Sequence, residues 1–197
     1  MPKVVPEYKE QARKRIIEVA ARVFSENGYY STKMDDVAEA LDVSKGAIYQ
    51  YFASKEQLLL AVVDFIFDSR KDEIISILAS DNPRFIATEE FFGIKIDRSL
   101  QTQSFGLDIL REATRNEKLR RRLKKLNERG YVELQEYVRA LKNQETVKQD
   151  ADIELAWRGI VALRDGLISS ILLGADVAQV KKSWNYTVAR ILDDIIA

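Results

Sequence analysis

An all-α chain of about nine helices is predicted by three features of the sequence. Its three prolines fall at positions 2, 6 and 83, which leaves long stretches free of helix breakers. No alternating apolar run bounded by turn residues marks a strand; apolar residues recur instead at three- and four-residue spacing. Neither a solenoid-length repeat nor a low-complexity segment interrupts that pattern.

The first helix is predicted from about Glu7 to Glu26, with Ala12, Ile16, Val19, Ala20, Val23 and Phe24 on one face. Asn27 and Gly28 end it. Thr32 is a cap for a short second helix, with Asp35 as its reciprocal partner and Val37, Ala38 and Leu41 as the apolar face. Ser44 caps a third helix holding Ile48 and Phe52 one turn apart, and Ser54 with Gln57 makes a capping box for a fourth that runs to about Ala79. Asp81, Asn82 and Pro83 stop that helix and start the next. Five more helices are expected at about 83–100, 104–114, 117–143, 151–173 and 177–196. Asn116, Asp150 and Asp176 (with Gln179) serve as caps, and Gly174 as a stop.

Composition removes whole classes of function. The chain has no cysteine and no histidine, so disulfides, thiolate or imidazole metal sites, cysteine nucleophiles and His-based triads are excluded. Phosphate-binding glycine loops are absent too, so neither an enzyme nor a cofactor or metal site is expected. No apolar stretch is long enough to span a membrane, and Met1 to Pro6 lacks the apolar core of a signal peptide, which predicts a cytoplasmic protein. The formal net charge is zero, which argues against a non-specific or architectural nucleic-acid binder, because counterion release needs many phosphate contacts. Residues 1–55 carry nine basic and eight acidic side chains, but Ser44 to Lys55 holds two lysines and no acid.

Residues 28–60 hold the motif that carries function. Two short helices flank a tight turn at Leu41-Asp42-Val43-Ser44, the spacing of a helix-turn-helix. Ala38 is small where the second helix crosses, Val43 and Ile48 fill the space between the helices, and Asp42 takes a turn position that often needs a left-handed backbone. With Ile48 and Phe52 inward, the outward arc of the third helix is Gly46, Ala47, Tyr49 and Gln50. The two small residues permit close approach to a groove, Gln50 can pair with an adenine edge, and Lys45 can reach a guanine or a phosphate. Thr32, Lys33, Tyr49, Tyr51 and Lys55 have the chemistry and placement to clamp phosphates on either side, and Ser44 completes the candidate DNA contacts. The motif proper spans about 32–51. A helix-turn-helix domain is therefore placed at 1–55 and a second domain at 56–197. A helical protein without a DNA role would leave the Thr32 to Lys55 constellation unexplained.

This stretch resembles the TetR regulators. It carries Gly28-Tyr29, Thr32, Val37-Ala38, Val43-Ser44 and Tyr49-Gln50-Tyr51-Phe52-Ala53-Ser54-Lys55, and departs from the family pattern mainly in Asp42, where glycine is common. The resemblance covers about the first 60 residues. It implies a homodimer whose recognition helices enter successive major grooves of a palindromic operator. It also implies a repressor released when a small, largely apolar effector binds the C-terminal domain.

In the C-terminal half, Gly159, Ala162, Gly166 and Ser170 put small residues along one helix, and Val180, Trp184, Val188 and Ile191 lie on an apolar stripe of the last. They are the candidate dimer interface, since a two-fold dimer matches the half-site geometry of such DNA readers, although the same spacing serves an intrachain core. Phe65, Phe85, Phe91, Phe92, Phe105, Ile109, Tyr131 and Leu163 are candidates to line an apolar effector cavity, or else plain core. Arg115, Lys118, Arg120, Arg121, Arg122, Lys124, Lys125 and Arg129 form a basic run. Such a run is either a solvated helix face or, as the resemblance suggests, a rim for an anionic effector such as an acyl-CoA.

Overall fold

The computed structural model describes residues 6–78, 82–143 and 147–196. Eight α-helices and one 3-10 helix account for nearly all of them: α1 (Pro6–Asn27), α2 (Met34–Ala40), α3 (Lys45–Tyr49), α4 (Lys55–Leu78), a 3-10 helix (Pro83–Ala87), α5 (Glu89–Ala113), α6 (Glu117–Asn143), α7 (Ile153–Leu172) and α8 (Val177–Ile195). The all-helical expectation is met. Among the described residues the extended pairing is a single antiparallel bridge between Val147 and Ile196.

The helices group into two compact units, Met1–Arg70 with Gln101–Leu126, and Lys71–Leu100 with Asn127–Ala197. Packing thus carries the first unit past residue 55 and adds a distant segment that local sequence does not announce. Its core forms around the apolar face of α1, where Ala20 and Phe24 are fully buried, together with Val37, Ile48, Leu58, Leu59, Val62, Phe105 and Leu119. Phe105 stacks obliquely on Phe24 with ring centres 5.5 Å apart.

The second unit is built around Trp184. Its ring lies nearly parallel to that of Phe92 at 4.6 Å, and its Nε1–H donates to the Ile86 carbonyl at 2.8 Å. Asn185 Nδ2 donates to the Ala87 carbonyl at 3.0 Å, so α8 holds the 3-10 helix by two backbone acceptors. Val180, Val188 and Leu192 fill the rest of this interior with Ile96 and Ile160.

Several local expectations are corrected. Residues 83–100 and 104–114 are not two α-helices. Thr88 has an extended backbone and accepts from the Phe91 amide through its hydroxyl, so a new helix begins after it and α5 runs unbroken through the polar stretch at 101–104. Asp152, not Asp150, caps α7, accepting from the Leu155 amide at 3.0 Å. Asn116 and Asp176 cap as expected, at 3.0 Å from the Leu119 amide and 2.8 Å from the Gln179 amide. Gly174 adopts a φ of +94° at the predicted stop. Asp81 and Ala79 lie outside the described residues.

The apolar stripe of α8 faces its own unit: Val180, Trp184 and Val188 are 5%, 2% and 0% exposed, which corrects their placement at a dimer interface, and Ile191 is half-buried. The small residues of α7 behave differently. Gly159, Ala162 and Gly166 are exposed, a side chain added at either glycine would meet open space, and Leu155 and Leu173 stand out beside them. Ser170 is half-buried and donates its hydroxyl to the Leu167 carbonyl at 2.7 Å.

The eight candidate effector residues divide between the units. Phe65, Phe105 and Ile109 pack in the first core. Phe91, Phe92 and Leu163 belong to the second, where Phe85 meets Phe91 edge-on at 5.8 Å. The face of Tyr131 carries the Arg158 guanidinium at 3.9 Å.

Candidate nucleic-acid interface

α2, a four-residue turn and α3 form the predicted helix-turn-helix. The turn is made by backbone bonds from Leu41 and Val43 to the Ala38 carbonyl and from Asp42 to the Glu39 carbonyl, at 3.0 to 3.2 Å. Asp42 has a φ of +55°, the one left-handed non-glycine conformation among the described residues. Aspartate tolerates that region better than most residues because its side chain is short, unbranched at Cβ and able to hydrogen-bond to nearby backbone. Ser44 is extended and its Oγ accepts from the Ala47 amide at 3.3 Å, so α3 starts where the sequence places it. Ser54 accepts from the Gln57 amide at 3.2 Å, while Gln57 accepts in return from Ala53 rather than from Ser54.

The two faces of α3 separate cleanly. Ile48 is fully buried and Phe52 is 2% exposed, whereas Gly46, Tyr49 and Gln50 are exposed and Ala47 is half-buried. Two exposed groups at the start, Ser44 and Lys45, flank this arc. Lys45 Nζ lies 2.9 Å from the Asp35 carboxylate, a surface pair that ties the start of α3 to α2 and raises the lysine pKa through that hydrogen bond. Val43 is 43% exposed, whereas Ile48, expected to share the inter-helix space with it, is fully buried.

Two expected clamps turn inward. Thr32 is 1% exposed and donates its hydroxyl to the Gly28 carbonyl at 2.8 Å. It does not cap α2. Lys33 holds that position, and its amide donates to Asp36 at 2.7 Å, one residue on from the predicted pair. Lys55 Nζ donates to the Tyr29 and Thr32 carbonyls at 2.7 and 2.8 Å and sits 4.2 Å from the Tyr29 ring centre. Burial lowers its pKa, against the nearby carboxylates Asp108, Glu112 and Asp36. Lys33 remains exposed and Tyr51 is half-buried.

The loop between α1 and α2 is also held by residues that no local pattern marks. The Tyr29 amide donates to Asp108 at 2.6 Å, the Tyr30 hydroxyl to Glu112 at 2.8 Å, and Asn116 Nδ2 to Glu56 and Glu112 at 3.0 and 3.1 Å. The Arg111 guanidinium covers the Tyr30 ring at 4.7 Å. Sequence separations of 79 and 82 residues hid Asp108 and Glu112 as partners of Tyr29 and Tyr30. Among the described residues no group of carboxylates is arranged to hold a metal ion, and no helix is long and apolar enough to cross a membrane.

A small outward arc on a helix whose other face is buried, preceded by a left-handed turn, defines a helix-turn-helix unit of the kind that DNA readers use. Residues 16–62 match the bacterial regulatory proteins of the tetR family, and residues 95–197 match the C-terminal region of BetI-type transcriptional repressors. The chain belongs to the TetR family of bacterial regulatory proteins, with a BetI-type C-terminal region. It is 30% identical over 126 residues to the regulator BetI of Rhizobium meliloti, covering 62% of this chain and 61% of that protein. It is 40% identical over 76 residues to the regulator YuxN of Bacillus subtilis, covering 38% of this chain and 26% of that protein. The match thus spans less than two thirds of either relative. Among solved structures, a transcriptional regulator from Saccharomonospora viridis in complex with choline superposes with a TM-score of 0.66 and 25% identity, over 95% of this chain and 99% of that one. A TetR-family regulator from Mesorhizobium loti gives 0.76 at 19% identity, over 96% and 98%, and shares the fold.

Proposed function

We propose that this regulator is a repressor that binds a palindromic operator as a homodimer in the cytoplasm and is released by a small effector. The observation that carries the DNA-binding part is the division of α3 into a buried Ile48 and Phe52 and an exposed arc of Gly46, Tyr49 and Gln50. In this reading Gln50 and Lys45 meet base edges, Gly46 and Ala47 allow the approach, and Tyr49, Ser44, Lys33 and Tyr51 face phosphates. Thr32 and Lys55 act indirectly, by holding the loop from Gly28 to Lys33. The dimer forms through the exposed small-residue face of α7, where backbones can approach closely.

The test is selection of bound sequences from random duplex DNA, followed by gel-shift titration of the winner at two salt concentrations. A palindromic winner bound by two chains supports the proposal. Binding without enrichment that fades with salt would overturn it.

For the effector, the choline bound by the Saccharomonospora relative makes a small organic cation the leading class. An acyl-CoA is the second class to try. Release of the operator complex is measured with choline and with an acyl-CoA series, and no release by either would overturn both assignments.

A further inference from the structure

The first unit contains a cleft that the outward arc of α3 does not line. Its volume is about 920 Å³, and its walls come from α1, Tyr51 and Phe52 just after α3, the first turns of α4 and the start of α6. Five lining side chains are basic and two are acidic. Both acids are already engaged: Glu117 is bound by Arg121 one turn along α6, and Asp64 is bound by Arg122 at 2.6 Å. Three cations are left, Arg13, Lys118 and Lys125, and among the described residues none of them pairs with a carboxylate.

The floor between these cations is apolar. Phe52, Leu60 and Ala61 form it, and the Arg13 guanidinium lies over the Phe52 ring at 5.1 Å, which fixes one charge against that floor. Unneutralised cations in a concave wall focus a positive potential, and ammonium and guanidinium groups form their strongest hydrogen bonds with anionic oxygens. An apolar floor beneath them gives burial to the rest of a ligand.

We propose that this cleft binds a small organic anion, a phosphate ester with an apolar body, at a site that Gly46, Ala47, Tyr49 and Gln50 of α3 do not line. The phosphate sits between Lys118, Lys125 and Arg13, and the apolar body lies on Phe52 and Leu60.

The test is calorimetric titration of the full-length protein with 1-naphthyl phosphate, inorganic phosphate and 1-naphthol. The comparison variant is Lys118→Glu with Lys125→Glu, both at exposed positions, and its helical circular dichroism confirms folding. Saturable binding of the ester is expected, weakened about tenfold or more in the variant, with the phosphate and the naphthol each binding more weakly than the ester. Absence of saturable binding, equal affinity in the variant, or inorganic phosphate binding as tightly as the ester would each overturn the proposal. If the variant loses operator affinity while the unaltered protein takes no ester, the cations serve the DNA backbone and the proposal also fails. No DNA is present in the titration, so its outcome is independent of the repressor reading.

Discussion

The backbone amide of Tyr29 donates to the carboxylate of Asp108, 79 residues away, at 2.6 Å. The bond closes the end of α1, where Gly28 has a φ of +79° and a side chain added there would lie 3.1 Å from the same carboxylate oxygen. A charge-assisted bond at a partly buried site contributes on the order of 1 kcal/mol or more. Asp108→Ala is therefore expected to lower the urea midpoint with the slope unchanged, and an unaltered midpoint would show that the loop holds itself.

Tyr29 also governs behaviour at high pH. Burial, reinforced by the carboxylates of Glu112 and Glu56, pushes its phenol from 10.0 up to about 12. A pKa raised on folding means that the folded chain keeps a proton the unfolded chain has lost. The associated stability is complete below pH 10 and disappears as the pH climbs through 12. Tyr29→Phe should flatten the alkaline fall in stability over that window; a fall of the same steepness in both proteins would assign it to other groups.

At the turn, Asp42→Gly should hold or raise stability, because glycine adopts a φ of +55° freely, whereas Asp42→Val should cost about 1–2 kcal/mol. Thermal unfolding of the pair decides the matter. Equal midpoints would mean that the backbone at this position relaxes.

On DNA, Tyr49→Ala is expected to weaken binding to operator and random duplex alike, while Gln50→Ala lowers discrimination at one base step by ~1–3 kcal/mol. Gel shifts against the selected site and single-base variants measure both. Unchanged operator affinity in the two variants would discard the docking of α3.

Within the second unit, two substitutions separate core from interface. Trp184→Ala empties the centre of a packed cluster and removes the donor to the Ile86 carbonyl, at a cost of about 3–5 kcal/mol. Gly166→Leu adds a side chain to open space, so the chain should remain folded but elute as a monomer in size-exclusion chromatography. A dimeric Gly166→Leu protein would move the interface away from this face of α7.

The helix-turn-helix was legible because its signals are local. Ser44 could be recognised as a cap, Asp42 as a left-handed turn, and Ile48 with Phe52 as the inward pair, each from a few neighbouring residues. Thr32 was misassigned because a threonine before a helix suits a cap as well as an inward hydroxyl, and only the carbonyl of Gly28 decides between them. Asp108 and Glu112 had no local signature, since exposed-looking polar residues on a helix acquire a role only when the fold brings a backbone amide or a tyrosine to them. The stripe on α8 was visible as apolar but silent about its partner, because burial in one's own chain and burial against a second copy demand the same residue types.

Both tryptophans of the chain, Trp157 and Trp184, fall in the second unit. Indole emission therefore watches only half of the molecule, whereas the DNA-gripping half carries tyrosines and phenylalanines and is dark at tryptophan wavelengths. Unfolding followed at once by tryptophan fluorescence and by far-ultraviolet circular dichroism becomes a two-channel recording. Divergent curves would reveal halves that melt separately, and coincident curves a molecule that melts as one.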